Sequence, residues 1–358
     1  KVLVVRDGMP MAVPIKEVRV GDLVVSVSPD LDVRLSAVAD VIAHHHSGTL
    51  LRVRTESGRE VLVTPDHSVV TVKGGRLVSV KASELKPGDA LLLPRWVSPT
   101  LVEEVEGVKL TPSIGYILGL YASKGDANGE GGVLLLRNLD PAVQERLQSE
   151  CAEAGLECRK RGRHAEVLSP KLAELAPKWF GTGKARRLPE WLLFSPPGFR
   201  LSFIAGLFDG KGYIKVGTQG GQEPGGAAPK CYARIEYYTA GKELADGLAL
   251  LLLFTGIASY KTARVKPGNP SRALYRVYVA DKREFAERVP AERVKQVRGE
   301  LLRCSWQNRQ RLEHVPVSLE EVNRYADMLR PLRRKPGARV KVKDVRKRAR
   351  RGVLTREG

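Results

Sequence analysis

Ile117-Leu118-Gly119-Leu120-Tyr121-Ala122-Ser123-Lys124-Gly125 and Ile204-Ala205-Gly206-Leu207-Phe208-Asp209-Gly210-Lys211-Gly212 are one nine-residue pattern used twice, 87 positions apart. Each copy is apolar, carries small residues at helical spacing and ends in Lys-Gly. The pattern predicts helices over 112–123 and 199–210, with Thr111 as a cap and Pro112 in a first turn. Gly115 and Gly119, four apart, let two backbones approach closely. A motif used twice predicts an internal pseudo-repeat. Its simplest packing sets the two helices against each other across a pseudo-twofold, with their C-terminal ends side by side at the centre.

The segments after each copy repeat as well. Val133-Leu134-Leu135-Leu136 comes after the first, and Tyr213-Ile214-Lys215-Val216 with Ala233-Arg234-Ile235-Glu236 after the second. An amphipathic helix comes next in each half, over 142–150 and 242–251. Basic segments then carry Arg159, Lys160, Arg161 and Arg163 in one half. In the other they carry Lys261, Arg264, Lys266, Arg272 and Arg276. Basic residues alternating with apolar ones on strands predict a sheet with one core face and one cationic face. Such a saddle would lay Arg and Lys along a duplex major groove, so Arg159, Arg161, Arg163, Lys215, Arg234, Lys261, Arg264, Lys266, Arg272 and Arg276 are candidate DNA contacts.

Charge distribution points the same way. The chain has 358 residues and a formal net charge of +20. Residues 1–110 hold 14 Lys/Arg against 14 Asp/Glu, so the excess lies wholly beyond them; residues 311–358 alone hold 15 against 6. A polyanion partner explains that asymmetry better than a device for solubility. No apolar run approaches the ~20 residues of a membrane span. Cys151, Cys158, Cys231 and Cys304 form no CxxC pair, and reduced thiols in a cytoplasmic protein are the expectation, with zinc at Cys151 and Cys158 the weaker alternative. Many Arg and only three Met suit a thermophile.

Residues 1–95 read as short β-branched segments punctuated by Asp7-Gly8, Gly21-Asp22, Ser57-Gly58 and Gly74-Gly75. This first region is expected to be nearly all β. Ile15-Lys16-Glu17-Val18-Arg19-Val20-Gly21-Asp22 is similar to Ala82-Ser83-Glu84-Leu85-Lys86-Pro87-Gly88-Asp89, which hints at two related halves. Thr64-Pro65-Asp66-His67 is the chemical candidate: a hydroxyl and an imidazole three residues apart can converge on one amide, and histidine suits proton donation to a departing backbone nitrogen. A plain turn with a hydrogen-bonded histidine is the alternative. His44-His45-His46 reads as a strand end or exposed loop, with metal binding the weaker alternative.

Gly58 through Val63-Thr64-Pro65-Asp66-His67, with the strand and Gly21-Asp22 turn before it, resembles the Hint fold of inteins, the self-splicing protein elements. The resemblance implies that Thr64 and His67 would strain and polarise an upstream splice junction, in a precursor whose partner is the host extein protein. Such inteins open with a Cys or Ser nucleophile and close with His-Asn. This chain opens at Lys1 and closes at Gly358, so it is not expected to splice unaided.

The doubled motif resembles the LAGLIDADG homing endonucleases, in the two-motif monomeric form found inside inteins. The resemblance implies an α/β core that recognises a long double-stranded DNA site. In active relatives the eighth motif position is an acid that binds Mg²⁺. Those positions here are Lys124 and Lys211, and a lysine offers donors and no acceptor. Metal-dependent cleavage is therefore expected to be lost, with no metal at the usual sites. Lys160 and Lys261 are candidates for the catalytic lysine of active relatives. Asp126 and Asp209 are near Lys124 and Lys211 but are expected to face elsewhere.

The expected organisation is multidomain: residues 1–100 as the N-terminal part of an all-β Hint domain, and 111–290 as the α/β endonuclease core with halves 111–195 and 196–290. Residues 300–358 are read as a small basic helical accessory segment, with a capping box at Ser318 and a further cap at Thr355. Gly220 to Gly226 reads as a tolerated loop or a backbone-tracking one. The rival from another class is a stand-alone, non-catalytic DNA-binding regulatory or architectural protein.

Overall fold

The computed structural model describes residues 1–28, 32–73, 76–219, 230–266, 269–303, 314–316 and 353–355. They divide into two compact units, Lys1–Ala43 with Pro94–Trp306 and His44–Leu93 with Gln307–Gly358.

In the first unit β1 (Val2–Arg6), β2 (Met9–Val13), β3 (Leu23–Val27) and β4 (Val33–Ala37) form an antiparallel sheet in the order β2-β1-β3-β4. Asp7 and Gly8 join β1 to β2 with φ of 49° and 78°, the left-handed pair that a tight hairpin requires. Arg6 donates to both oxygens of the buried Asp22 at 2.8 Å, and Asp22 also accepts from the Arg19 N–H at 2.8 Å.

In the second unit β5 (Leu51–Arg54) pairs with β6 (Glu60–Val63), and β7 (Ser68–Lys73) with β8 (Arg76–Lys81). The repeated sequence ending in Gly-Asp takes one local shape in both places. Ile15–Glu17 and Ala82–Glu84 each make a short 3-10 turn. Gly21 and Gly88 come next at φ of 89° and 99°, and Asp89 accepts from the Lys86 N–H at 2.8 Å as Asp22 does from Arg19. His44, His45 and His46 are exposed and outside any strand.

Within the first unit, residues 94–101 run along the later core: the Trp96 N–H donates to the Leu253 carbonyl at 3.2 Å and the Leu101 N–H to that of Phe194 at 2.8 Å. A two-stranded turn, β9 (Glu104–Val105) and β10 (Val108–Lys109), leads into α1 (Pro112–Lys124). Then come β11 (Gly125–Asn128), β12 (Val133–Leu136), α2 (Pro141–Glu153), β13 (Glu157–Arg161), β14 (His164–Leu168) and α3 (Pro170–Phe180). The order repeats in α4 (Pro197–Lys211), β15 (Gly212–Gln219), β16 (Lys230–Thr239), α5 (Lys242–Phe254), β17 (Ser259–Lys266), β18 (Asn269–Val279) and α6 (Lys282–Arg288), closed by α7 (Glu292–Arg303). The two antiparallel sheets share one topology, β11-β12-β14-β13 and β15-β16-β18-β17. The predicted repeat is thus present as helix, hairpin, helix, hairpin, helix, twice.

The predicted caps hold at α1, where Thr111 Oγ1 accepts from the Ile114 N–H at 3.3 Å and Pro112 occupies the first turn. Both motif helices are buried almost throughout, since each packs against the other and against its own sheet. Arg200 is a fully buried cation that periodicity did not flag. It donates to the Ser98 and Leu193 carbonyls at 2.8 Å each and to the Phe254 carbonyl at 3.4 Å, and burial lowers its guanidinium to about 10. It joins the chain entering the core to both flanks of the second half.

Beyond α7 the described residues are β19 (His314–Pro316) and β20 (Val353–Thr355), which pair antiparallel. Thr355 is therefore a strand residue opposite His314 and caps no helix there. The capping box at Ser318 and the loop at Gly220–Gly226 lie outside the described residues.

Candidate functional site: the motif centre and the open sheet faces

Glycine decides how the motif helices meet. A Cβ at Gly119 would fall inside contact distance of the Phe203 carbonyl oxygen and 3.0 Å from the Leu207 nitrogen. One at Gly206 would collide with the Tyr116 carbonyl oxygen and lie 2.8 Å from the Leu120 nitrogen. Phe203 and Leu207 stand 87 positions after Tyr116 and Leu120, the spacing of the two glycines themselves. The contact is reciprocal, as a twofold axis between the helices demands. No larger residue permits this approach.

Each helix stops at its Lys-Gly. The N–H of Gly125 donates to the Tyr121 carbonyl and that of Gly212 to the Phe208 carbonyl, and both glycines then turn into strands. An arginine closes each end. Arg186 donates to the carbonyls of Tyr121 at 3.1 Å, Ala122 at 2.9 Å and Gly125. Arg293 donates to the Gly212 carbonyl at 3.2 Å and to Asp140 at 2.6 Å. Cations at helix C-termini offset the negative end of the macrodipole. These two arginines lie far from the motif in sequence, and no spacing signal announces them.

Lys124 and Lys211 are the last residues of the helices. Lys124 is half-buried, with Nζ donating to the Asn138 carbonyl at 2.9 Å. Burial lowers its ammonium below the ordinary range; Arg293, Lys211 and Arg163 push the same way and Asp140 opposes. Partial desolvation at the helix end, and then Arg186, also lower the Lys211 ammonium. The centre is therefore rich in cations, with the Asp140 carboxylate held by Arg293.

The nearby aspartates are engaged by other partners. Asp209 is buried and accepts from the Glu292 N–H at 2.9 Å, the Arg293 N–H at 3.0 Å and the Tyr116 hydroxyl at 2.9 Å. It thereby caps α7, and burial raises its carboxyl above the usual range. Asp126 is exposed and paired with Arg137 at 2.8 Å. Among the described residues no three His, Cys, Asp or Glu converge to hold a metal ion. A divalent cation needs oxygen ligands, and lysines and arginines supply none. The donor set at this centre does not fit Mg²⁺.

Strand register assigns the basic residues to faces, because directly opposed residues share one. In the second sheet Ile235, Tyr237, Val277 and Val279 are fully buried under the helices. The alternate row carries Lys215 opposite Arg234, Arg276 opposite Thr262, and Arg264 opposite Leu274. Lys215, Arg234 and Arg264 are exposed. Lys266 and Arg272 lie on β17 and β18. In the first sheet Arg159 and Arg161 are exposed on the open row, and Arg163 is exposed in the turn between β13 and β14.

Two candidates fall on the other row. Lys160 is opposite Ala165, and Lys261 is opposite the buried Val277. Lys261 is ion-paired with Asp246 of α5, the helix covering that face. Lys261 is therefore off the cationic face on which the sequence placed it, and Lys160, a candidate catalytic lysine, is exposed on the corresponding row of its own sheet. Three successive basic residues, Arg159-Lys160-Arg161, cannot all point one way on a strand. Cys151 of α2 and Cys158 of β13, seven apart in sequence, hydrogen-bond through their thiols, which raises Cys151 and lowers Cys158.

In the other unit Thr64 and His67 bracket one turn. The His67 N–H donates to the Thr64 carbonyl at 3.1 Å, and the Ala82 and Ser83 N–H groups donate to the His67 and Pro65 carbonyls at 2.8 and 3.0 Å. The Thr64 hydroxyl bonds to Asp66, which lowers that carboxyl. His67 is exposed.

A strand-rich module with a Thr-His turn, interrupted by a doubled α/β core, is the class these features define. A family model described as the intein splicing domain matches residues 3–352, and the chain belongs to that family. A DNA-directed RNA polymerase subunit of Methanocaldococcus jannaschii is 25% identical over 274 residues, which cover 66% of this chain and 30% of that protein. The replication factor C small subunit of Thermococcus kodakarensis is 40% identical over 98 residues, 27% of this chain and 10% of that protein. The chain spans less than a third of the length of either relative. The homing endonuclease I-DmoI in complex with DNA and Mn is similar at 14% identity over 51% of this chain and 97% of that one, with a TM-score of 0.32. Among the described residues no helix is long and apolar enough to cross a membrane.

Proposed function

We propose that residues 111–290 are the homing-endonuclease core of an intein, that they bind double-stranded DNA, and that Lys124 and Lys211 have removed metal-dependent cleavage. The reciprocal helix contact at Gly119 and Gly206 carries this reading. It supports a two-motif nuclease architecture, in which the metal-binding acids would stand at the helix ends where the two lysines are found. Lys211 is exposed at the end of α4, and a phosphate accepts from an ammonium that a metal cannot bind. The exposed Lys215, Arg234 and Arg264 support duplex binding through an open sheet face.

Residues 1–100 are taken as the N-terminal part of the splicing domain, all β in character, with Thr64 and His67 acting on the upstream splice junction of a precursor. The host extein is then its covalent partner.

The test is binding of a labelled duplex spanning the intein-less insertion site of the host gene, in EDTA and in Mg²⁺. The expected result is undiminished binding in EDTA and a steep loss with added salt. Binding that requires Mg²⁺ would contradict a centre made of lysines.

A further inference from the structure

The two sheets that succeed the motif helices are unequal in length. β11, β12, β13 and β14 have 4, 4, 5 and 5 residues, while β15, β16, β17 and β18 have 8, 10, 8 and 11. At about 3.3 Å per residue the longest strand of the second sheet spans about 36 Å, and that of the first about 17 Å.

They are also unequal in charge. On the open row of the first sheet's strands each acid is ion-paired with an arginine: Asp126–Arg137 at 2.8 Å, Glu157–Arg159 at 2.7 Å and Glu166–Arg161 at 3.5 Å. Three positive and three negative charges cancel along these strands, and Arg163 of the β13–β14 turn is outside that balance. On the second sheet's open row, among the described residues, Arg276 is so engaged, with Glu236 at 3.3 Å. Among the described residues no carboxylate pairs with Lys215, Arg234 or Arg264. The sequence agrees: residues 111–195 carry 12 Lys/Arg against 10 Asp/Glu, and residues 196–290 carry 14 against 8.

We propose that the chain grips duplex DNA one-sidedly: the long open face of the second sheet neutralises the backbone phosphates, and the short, charge-compensated face of the first contributes little of that neutralisation. This rests on the DNA-binding reading above. Exposed ion pairs are weak, about 0–1 kcal/mol each, so DNA can open those of the first sheet. Opening one leaves a carboxylate facing phosphate, and the arginine's gain is cancelled. Counterion release tracks the net charge placed on the backbone, so the salt dependence of binding reports which sheet supplies it.

The experiment measures binding of a fluorescein-labelled duplex of mixed sequence against chloride concentration. The triple variant Lys215→Gln, Arg234→Gln, Arg264→Gln is expected to flatten the slope of log K against log salt by about 2.7, at about 0.9 per contact. The triple Arg137→Gln, Arg159→Gln, Arg161→Gln is expected to change it by less than about 1, since its contacts were already compensated. Asp126→Asn, Glu157→Gln, Glu166→Gln is expected to tighten binding and steepen the slope. All of these side chains are at the surface, and a circular dichroism melt verifies folding. Equal flattening by the two cation triples, or no tightening from the acid-to-amide triple, overturns the one-sided grip. A wild-type chain that binds no duplex at any salt sinks the DNA-binding reading itself.

Discussion

Gly119 and Gly206 are twofold mates: each lies against the backbone of the other's helix, where any Cβ would strike a carbonyl oxygen. The contact joins the two halves through backbone, and backbone cannot swing aside as a side chain can. The arrangement of the centre results from that closeness. It sets Lys124 beside Lys211 and lets Arg186 and Arg293 close the two helix ends.

Gly206→Ala should therefore destabilise the protein, although alanine is the better helix former by about 1 kcal/mol. Overpacking against fixed atoms costs about 1–3 kcal/mol beyond that gain. Gly129→Ala is the control, because nothing lies within 4 Å of a Cβ there. Thermal unfolding should show a lower midpoint for Gly206→Ala and an unchanged one for Gly129→Ala. Equal midpoints for both would refute the close helix contact.

Acid sensitivity should trace in part to Asp22. The Arg6 hydrogen bonds, foremost, hold its carboxyl at about 2, below the ordinary 3.8. A depressed acid stabilises the fold fully above its unfolded value and loses that contribution as pH falls from about 4 towards 2. Asp22→Asn should be less stable than wild type near neutrality and should lack this part of the decline. Denaturant midpoints across that window decide it. Parallel decline in both proteins would show that the pair is energetically idle.

The Thr-His turn predicts a splicing phenotype. In a precursor carrying both splice junctions, His67→Ala should slow upstream cleavage by about 10²–10⁴-fold, the usual share of a positioned general acid. Thr64→Ala should slow it by less, since only an orienting hydroxyl is lost. Gel densitometry of released fragments measures both. Unchanged rates in His67→Ala would return the turn to a purely structural role.

The sequence was most legible where backbone sterics dominate. The doubled motif marked both helices, because only small residues tolerate such contact. The repeated Gly-Asp ending marked two equal turns, because Gly21 and Gly88 need positive φ and Asp22 and Asp89 each return a hydrogen bond three residues back. Side-chain direction was less legible. Lys261 looked like a member of a cationic face, yet register and the Asp246 pair set it on the helix side. Long-range partners left no signal: Arg186 and Arg293 meet the motif glycines, and Arg200 holds carbonyls of three segments, only once the chain is folded.

The claim that the motif centre has exchanged metal chemistry for cationic contact is tested most directly by restoring its acids. Supercoiled DNA carrying the intein-less insertion site is incubated with Mg²⁺ and either wild type or the double variant Lys124→Glu, Lys211→Asp. Wild type should give no linear product, and the double variant should linearise the plasmid in a Mg²⁺-dependent way. Equal cleavage by wild type would contradict that claim.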